Sequence, residues 1–126
     1  MITYLLIGAA AVIGIALYLR PSKLSEGTYS NVSIDDLNHL LNDKNTILVD
    51  VRTPREISQG VIGQPLKIEL GAGMNHKFSE LDKSKKYILY CKSGRRSVLA
   101  SKMMVSQGFK DVNNLLGGYL AWKASH

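Results

Sequence analysis

With one cysteine in 126 residues, the chain can form no internal disulfide and no cysteine-rich zinc site. Its three histidines, His39, His76 and His126, are far apart and show no ligand spacing, so no metal is expected. Acidic residues are the minority, 10 against 16 Lys plus Arg, for a formal net charge of +6. That balance admits nucleic acid, an anionic membrane surface or anionic substrates as partners. The chain lacks an arginine-rich tract and an aromatic-basic motif, which sets nucleic acid aside. It also lacks internal repeats and low-complexity segments, and its length suits one domain. Gly71-Ala72-Gly73 lacks the strand-turn-helix spacing of a dinucleotide fingerprint, so no cofactor is expected.

What is present begins with Ile2 to Leu19, 18 residues without a charge. As a helix this run reaches roughly 27 Å, close to the thickness of a bilayer's hydrocarbon core. Tyr4 and Tyr18 flank it as interfacial aromatics do. A cleaved signal peptide would want a basic residue ahead of the run and a small-x-small site after it, and the run ends in Leu-Tyr-Leu-Arg-Pro. A buried core helix would show a polar face, and there is none. Residues 1–19 are therefore expected to form a transmembrane helix in contact with lipid through residues 2–19. Arg20 and Lys23 follow it, which by the positive-inside rule leaves the remainder cytoplasmic, on a single-pass protein of the plasma (inner) membrane. Residues 20–28, polar with Pro21 and Gly27, read as a linker, and 29–126 as the domain.

In the domain, strand and helix signals alternate. Ser33-x-x-Asp36 resembles a capping box ahead of Leu37, Leu40 and Leu41, predicting a helix to about Asn42. Thr46 to Val51 is a short apolar run without polar alternation, the pattern of a buried parallel strand. Thr53-Pro54 offers an N-cap followed by proline at the first helical position. A weaker strand lies around Leu66 to Ile68 and a loop at 71–73. Lys86 to Tyr90 is the next strand, and from about Arg95 a helix begins with Leu99, Ala100, Met103 and Met104 as its apolar stripe. Gly108 stops it, Phe109 folds back on the stripe, Val112 to Asn114 forms a last short strand, and Gly117-Gly118 opens a closing helix through Trp122. This alternation implies an α/β fold with a parallel sheet covered by helices on both faces. In such sheets ligands sit beyond the carboxyl ends of the strands.

Cys91 falls at such an end, in Tyr90-Cys91-Lys92-Ser93-Gly94-Arg95-Arg96-Ser97. The loop N–H groups and the start of the next helix make an anion-binding concavity, and Gly94 allows a positive φ there. Lys92, Arg95 and Arg96 add positive potential. Each factor favours thiolate over thiol, and the thiolate is the nucleophile. Cys91 is thus the candidate catalytic residue, with Lys92, Ser93, Gly94, Arg95 and Arg96 as candidate substrate-binding residues for a small anion.

Three blocks in order then resemble a single-domain rhodanese: Asp50-Val51-Arg52-Thr53-Pro54-Arg55-Glu56 with Gly60 and Ile62; the Cys91 loop; and Gly108-Phe109 with Leu116-Gly117-Gly118-Tyr119-Leu120-Ala121-Trp122. The resemblance spans about Ser30 to Ala124. It implies a five-stranded parallel sheet flanked by helices, and transfer of sulfane sulfur through a cysteine persulfide. The partners it implies are an anionic donor such as thiosulfate or a persulfide, and a thiol, cyanide or protein acceptor. It casts Asp50, Arg52 and Glu56 as an ion-paired scaffold beneath the site. Val61-Ile62-Gly63-Gln64-Pro65 stands where family members often have His-Ile-Pro-Gly-Ala, which puts the local loop geometry in question. Two alternatives remain open at this point: a rhodanese-like module that binds partners or carries sulfur without turnover, and a cysteine phosphatase of the same fold. The phosphatases have five residues between cysteine and arginine, whereas here Arg96 follows after four and Ser97 takes the phosphatase arginine's place.

Overall fold

The computed structural model describes residues 28–126. The proposed membrane helix and nearly all of the linker lie outside them; among the described residues, no helix is long and apolar enough to cross a membrane.

The elements are β1 (Ser30–Val32), α1 (Ile34–Leu41), β2 (Thr46–Asp50), α2 (Pro54–Ile57), β3 (Leu66–Lys67), α3 (Met74–Ser79), β4 (Lys86–Tyr90), α4 (Arg95–Ser106), β5 (Asp111–Leu115) and α5 (Gly118–Ala124). The strands form one five-stranded parallel sheet in the order β1-β5-β4-β2-β3. β2 and β4 lie inside the sheet with helices over both faces, which is why Ile47-Leu48-Val49 and Tyr87-Ile88-Leu89 are apolar without alternation. One face carries Val49, Leu89, Met74, Phe78, Ala100 and Met104 beneath α3 and α4. The other carries Leu48, Ile88, Leu115 and Leu37, with Trp122 of α5 packed against them.

Local chemistry fixes the ends of the elements. The Ser33 hydroxyl accepts from Asp36 N–H at the start of α1. Thr53 and Glu56 form a reciprocal capping box around α2, with Pro54 in the first turn. Gly108, at φ 94°, turns the chain out of α4 so that Phe109 returns to the core, edge-on to Tyr87.

Two elements go beyond the sequence expectation: the edge strand β1 and the helix α3. A third difference is the facing of α4. Leu99, expected in its apolar stripe, is exposed, and Met103 is half-buried; the buried face is Ser97, Ala100, Ser101, Met104 and Val105.

α5 packs its first turn directly on the segment after β4. Tyr119 N–H donates to Cys91 O at 2.8 Å and Leu120 N–H to Lys92 O at 3.0 Å. These bonds satisfy donors that the start of a helix leaves open. The approach requires glycine at 118: a Cβ there would meet Cys91 O at 2.5 Å, and φ is +59°. Gly118→Ala is expected to lower the unfolding free energy by at least ~1–2 kcal/mol from the left-handed backbone alone, with the carbonyl clash adding to it, and so to lower the denaturant midpoint. An unchanged midpoint would show that α5 can move off the loop without cost.

Candidate active site

Cys91 stands immediately beyond β4, and only 1% of it is exposed. Gly94 N–H points at its sulfur from 3.1 Å, with Gly94 at φ 98° as the N-cap of α4. Ser97, in the first turn of α4, places Oγ 3.4 Å from the same sulfur. The loop therefore has a polarity: the Cys91 and Lys92 carbonyls face outward to α5, while N–H groups face the sulfur. Burial pushes the Cys91 thiol up, but the Ser97 hydroxyl and the N–H groups of Ser97, Gly94 and Ser93 outweigh it and leave the thiol below its ordinary value. Hydrogen-bond donors, more than side-chain cations, carry that lowering.

The candidate substrate-binding residues occupy three settings. Ser93 and Gly94 contribute backbone donors to the sulfur. The Lys92 and Arg95 side chains are exposed on the rim of the loop. Arg96 is half-buried and bound bidentately by Glu56, Nη1 to Oε1 at 2.7 Å and Nη2 to Oε2 at 2.8 Å. Arg96 thus joins the nucleophile loop to α2. Its hydrogen bond, against the opposing effect of burial and with help from Thr53, holds the Glu56 carboxyl down at about 2.

Asp50 and Arg52 lie beneath, both fully buried. Arg52 Nη2 and Nε reach the Asp50 carboxylate at 2.8 and 3.0 Å, and Nη2 also donates to Gly60 O at 2.6 Å. The guanidinium sits 4.2 Å from the Tyr119 ring centre and 5.5 Å from that of Tyr90. In the divergent stretch 61–65, Ile62 N–H donates to the Tyr90 hydroxyl at 3.0 Å, so this loop is tied to β4 through its backbone. A cleft of about 150 Å³ opens beside the loop, lined by Arg52, Glu56, Gln59, Lys92, Leu120 and Lys123 among others.

Two residues at the site were not singled out from the sequence, Ser97 and Asn114. Ser97 Oγ donates to Asn114 Oδ1 at 2.5 Å, and Asn114 Nδ2 donates to Asn31 Oδ1 at 3.1 Å. The available signal was an asparagine at a buried position of β5, where an apolar residue is the norm. No group of three His, Cys, Asp or Glu side chains that could hold a metal occurs among the described residues.

Residues 33–125 match the rhodanese-like domain family. A sulfurtransferase of Allochromatium vinosum is 39% identical over 83 residues, covering 66% of this chain and 77% of that protein. A putative mitochondrial thiosulfate sulfurtransferase of Schizosaccharomyces pombe is 34% identical over 125 residues, covering 84% and 88%. The crystal structure of a rhodanese-related protein from Thermoplasma volcanium superposes with a TM-score of 0.69 at 27% identity, over 77% of this chain and 93% of that one. With the matched fold and a thiol at the carboxyl end of the central strand, the chain belongs to the rhodanese-like domain family and is a sulfurtransferase of the rhodanese type.

The Glu56–Arg96 pair yields a pH test. Because the folded chain holds Glu56 below its ordinary 4.5, the unfolded chain binds its proton more tightly. The pair's contribution to stability is then fully present above 4.5 and is lost as the pH falls toward about 2. Glu56→Gln is expected to unfold at lower urea than the unsubstituted chain at neutral pH, with the gap closing across that acid window. A gap that stays constant through it would show that the carboxylate gains nothing from Arg96.

Proposed function

We propose that Cys91 is the nucleophile, and that the chain moves sulfane sulfur from thiosulfate or a persulfide donor to a thiophilic acceptor through a Cys91 persulfide. The observation that carries this reading is the ring of N–H and O–H donors converging on a sulfur at the end of the central strand. With thiosulfate, the Cys91 thiolate attacks the outer sulfur. A new sulfur–sulfur bond forms at Cys91, the old one breaks, and sulfite leaves with its electron pair. The product Cys91 persulfide is an anion of the same charge as the thiolate, so one set of donors serves both. Cyanide, a thiolate or a protein thiolate then attacks the outer sulfur, leaving as thiocyanate or a new persulfide and restoring the Cys91 thiolate. Each step exchanges one anion for another, and one cysteine suffices.

Ser93 and Gly94 hold the persulfide through their backbone. Lys92 and Arg95 draw an anionic donor to the rim, and Arg96, kept in place by Glu56, adds positive potential beside the sulfur. Thiosulfate as donor is supported by the name of the Schizosaccharomyces pombe relative. Residues 2–19 anchor the chain as a single-pass protein of the plasma membrane with the domain in the cytoplasm, supported by their uncharged length and by Arg20 and Lys23 after them.

Mass spectrometry tests the chemistry. Incubation with thiosulfate, glutathione persulfide or a persulfidated desulfurase is expected to add one sulfur atom to the chain, and cyanide or excess dithiol to remove it. Cys91→Ser should abolish adduct and turnover while keeping the fold. Hydrolysis of an aryl phosphate dependent on Cys91, with no sulfur adduct from any donor, would overturn the reading.

Fractionation tests the anchor. The full chain is expected to sediment with membranes at high salt and to need detergent for release. Recovery in the soluble fraction without detergent would remove residues 2–19 from the membrane.

A further inference from the structure

The Ser97 hydroxyl has one proton and two neighbours that want it. Asn114 Oδ1 lies 2.5 Å from the hydroxyl oxygen and the Cys91 sulfur 3.4 Å from it, so the shorter contact favours Asn114. While Cys91 is a thiol the arrangement is consistent, because Ser97 Oγ can accept from S–H. Once the sulfur is an anion, as thiolate or persulfide, it competes with Asn114 Oδ1 for this one proton, and from the longer distance. Turning the hydroxyl toward the sulfur would leave two oxygens, Ser97 Oγ and Asn114 Oδ1, facing each other with no proton between them.

The amide of Asn114 resolves the conflict by turning over. Its two ends have nearly the same shape, so the turn asks the buried site only to open the 2.5 Å contact to the slightly longer N–H···O separation. Asn114 Nδ2 would then donate to Ser97 Oγ, and Oδ1 would face Asn31. Asn31 lies directly opposite Asn114 in the parallel β1–β5 register and is exposed, so its own amide can turn at little cost and donate back. All hydrogen bonds of the chain Cys91–Ser97–Asn114–Asn31 would reverse together.

We propose that Asn114 is a positioning residue for the nucleophile, whose amide turns over with Asn31 to release the Ser97 proton to the sulfur anion. This rests on Cys91 being the reactive thiol and adds an electrostatic support for its anion that originates on the edge strand. The charged groups around the sulfur are Arg96 with Glu56 from α2, the Asp50–Arg52 pair at the end of β2, and Lys92 and Arg95 on the loop rim. Lys102 of α4 shares a surface cavity with Asn31; the other charged side chains show no hydrogen bond to Ser97, Asn114 or Asn31 among the described residues, and all are unchanged in the variants below.

The test is the pH profile of Cys91 alkylation by iodoacetamide, a neutral reagent, on the full chain in detergent. It needs no sulfur donor, so its outcome is independent of whether the chain turns over. Asn31→Asp puts an acceptor-only group opposite Asn114, holds Nδ2 outward and keeps the Ser97 proton on Oδ1. It is expected to shift the profile to higher pH and slow alkylation at neutral pH by about three- to tenfold, undiminished in molar salt. Asn31→Leu removes donor and acceptor alike, favours neither orientation of the Asn114 amide, and is expected to slow alkylation less than Asn31→Asp does. Ser97→Ala should itself slow the reaction and erase the difference between the two Asn31 variants. Equal effects of Asn31→Asp and Asn31→Leu, an Asn31→Asp effect that salt abolishes, or one that persists with Ser97→Ala would each overturn the proposal. Should Ser97→Ala not fold, the comparison of the two Asn31 variants with and without salt decides alone.

Discussion

The buried pair of Asp50 and Arg52 is the constraint on which the other contacts around the nucleophile are built. A charged guanidinium is expensive to bury unless every donor finds a partner. Here the partners come from separate parts of the chain: the Asp50 carboxylate at the end of β2, the carbonyl of Glu56 within α2 and that of Gly60 beyond it. Tyr119 at the start of α5 covers the cation. Satisfying one cation thus brings the β2 end, the α2 region and α5 together, and α5 in turn grips the Cys91 loop. Glycine at 60 belongs to the same packing, since a Cβ there would strike the Tyr119 hydroxyl.

Around the sulfur, backbone direction matters more than side-chain charge. The loop's carbonyls are taken up by α5, which commits its N–H groups to the interior. The cations divide the remaining tasks. Arg96 is occupied by Glu56 and works as a strut between α4 and α2, whereas Lys92 and Arg95 stay in water, where their field is screened. A buried sulfur beside backbone donors suits an anion that must form, persist as a persulfide and be discharged again, because those N–H groups are fixed in advance by the fold.

The sequence made most of this legible where a pattern repeats or a residue is chemically singular. β2 and β4 were readable as unbroken apolar runs, α2 from Thr53-Pro54, and the nucleophile loop from one cysteine beside a glycine and cations. β1 escaped because Ser-Asn-Val is a three-residue edge strand with no apolar run, held by β5 rather than by its own propensity. α3 escaped because Gly73 gives it no side-chain cap, and only Met74 and Phe78 anchor it. The facing of α4 was misjudged at Leu99 because its buried side is built partly from serines, which periodicity counts as polar. The roles of Ser97 and Asn114 were unreadable for the same reason: they lie in a contact between α4 and β5 that no local spacing encodes.

The strand order places β1, the first strand made, beside β5, the last. Asn31 and Asn114 are 83 residues apart in the chain, so their bond closes only after nearly the whole domain has been synthesised. Contacts of such separation carry a large loop-closure cost and form late. During translation, Cys91 is made before β5 and α5 exist to shape its loop. The final shape of the Cys91 loop, with its carbonyls taken up by α5 and Ser97 bound through Asn114 to β1, is therefore completed only as the two ends of the domain meet.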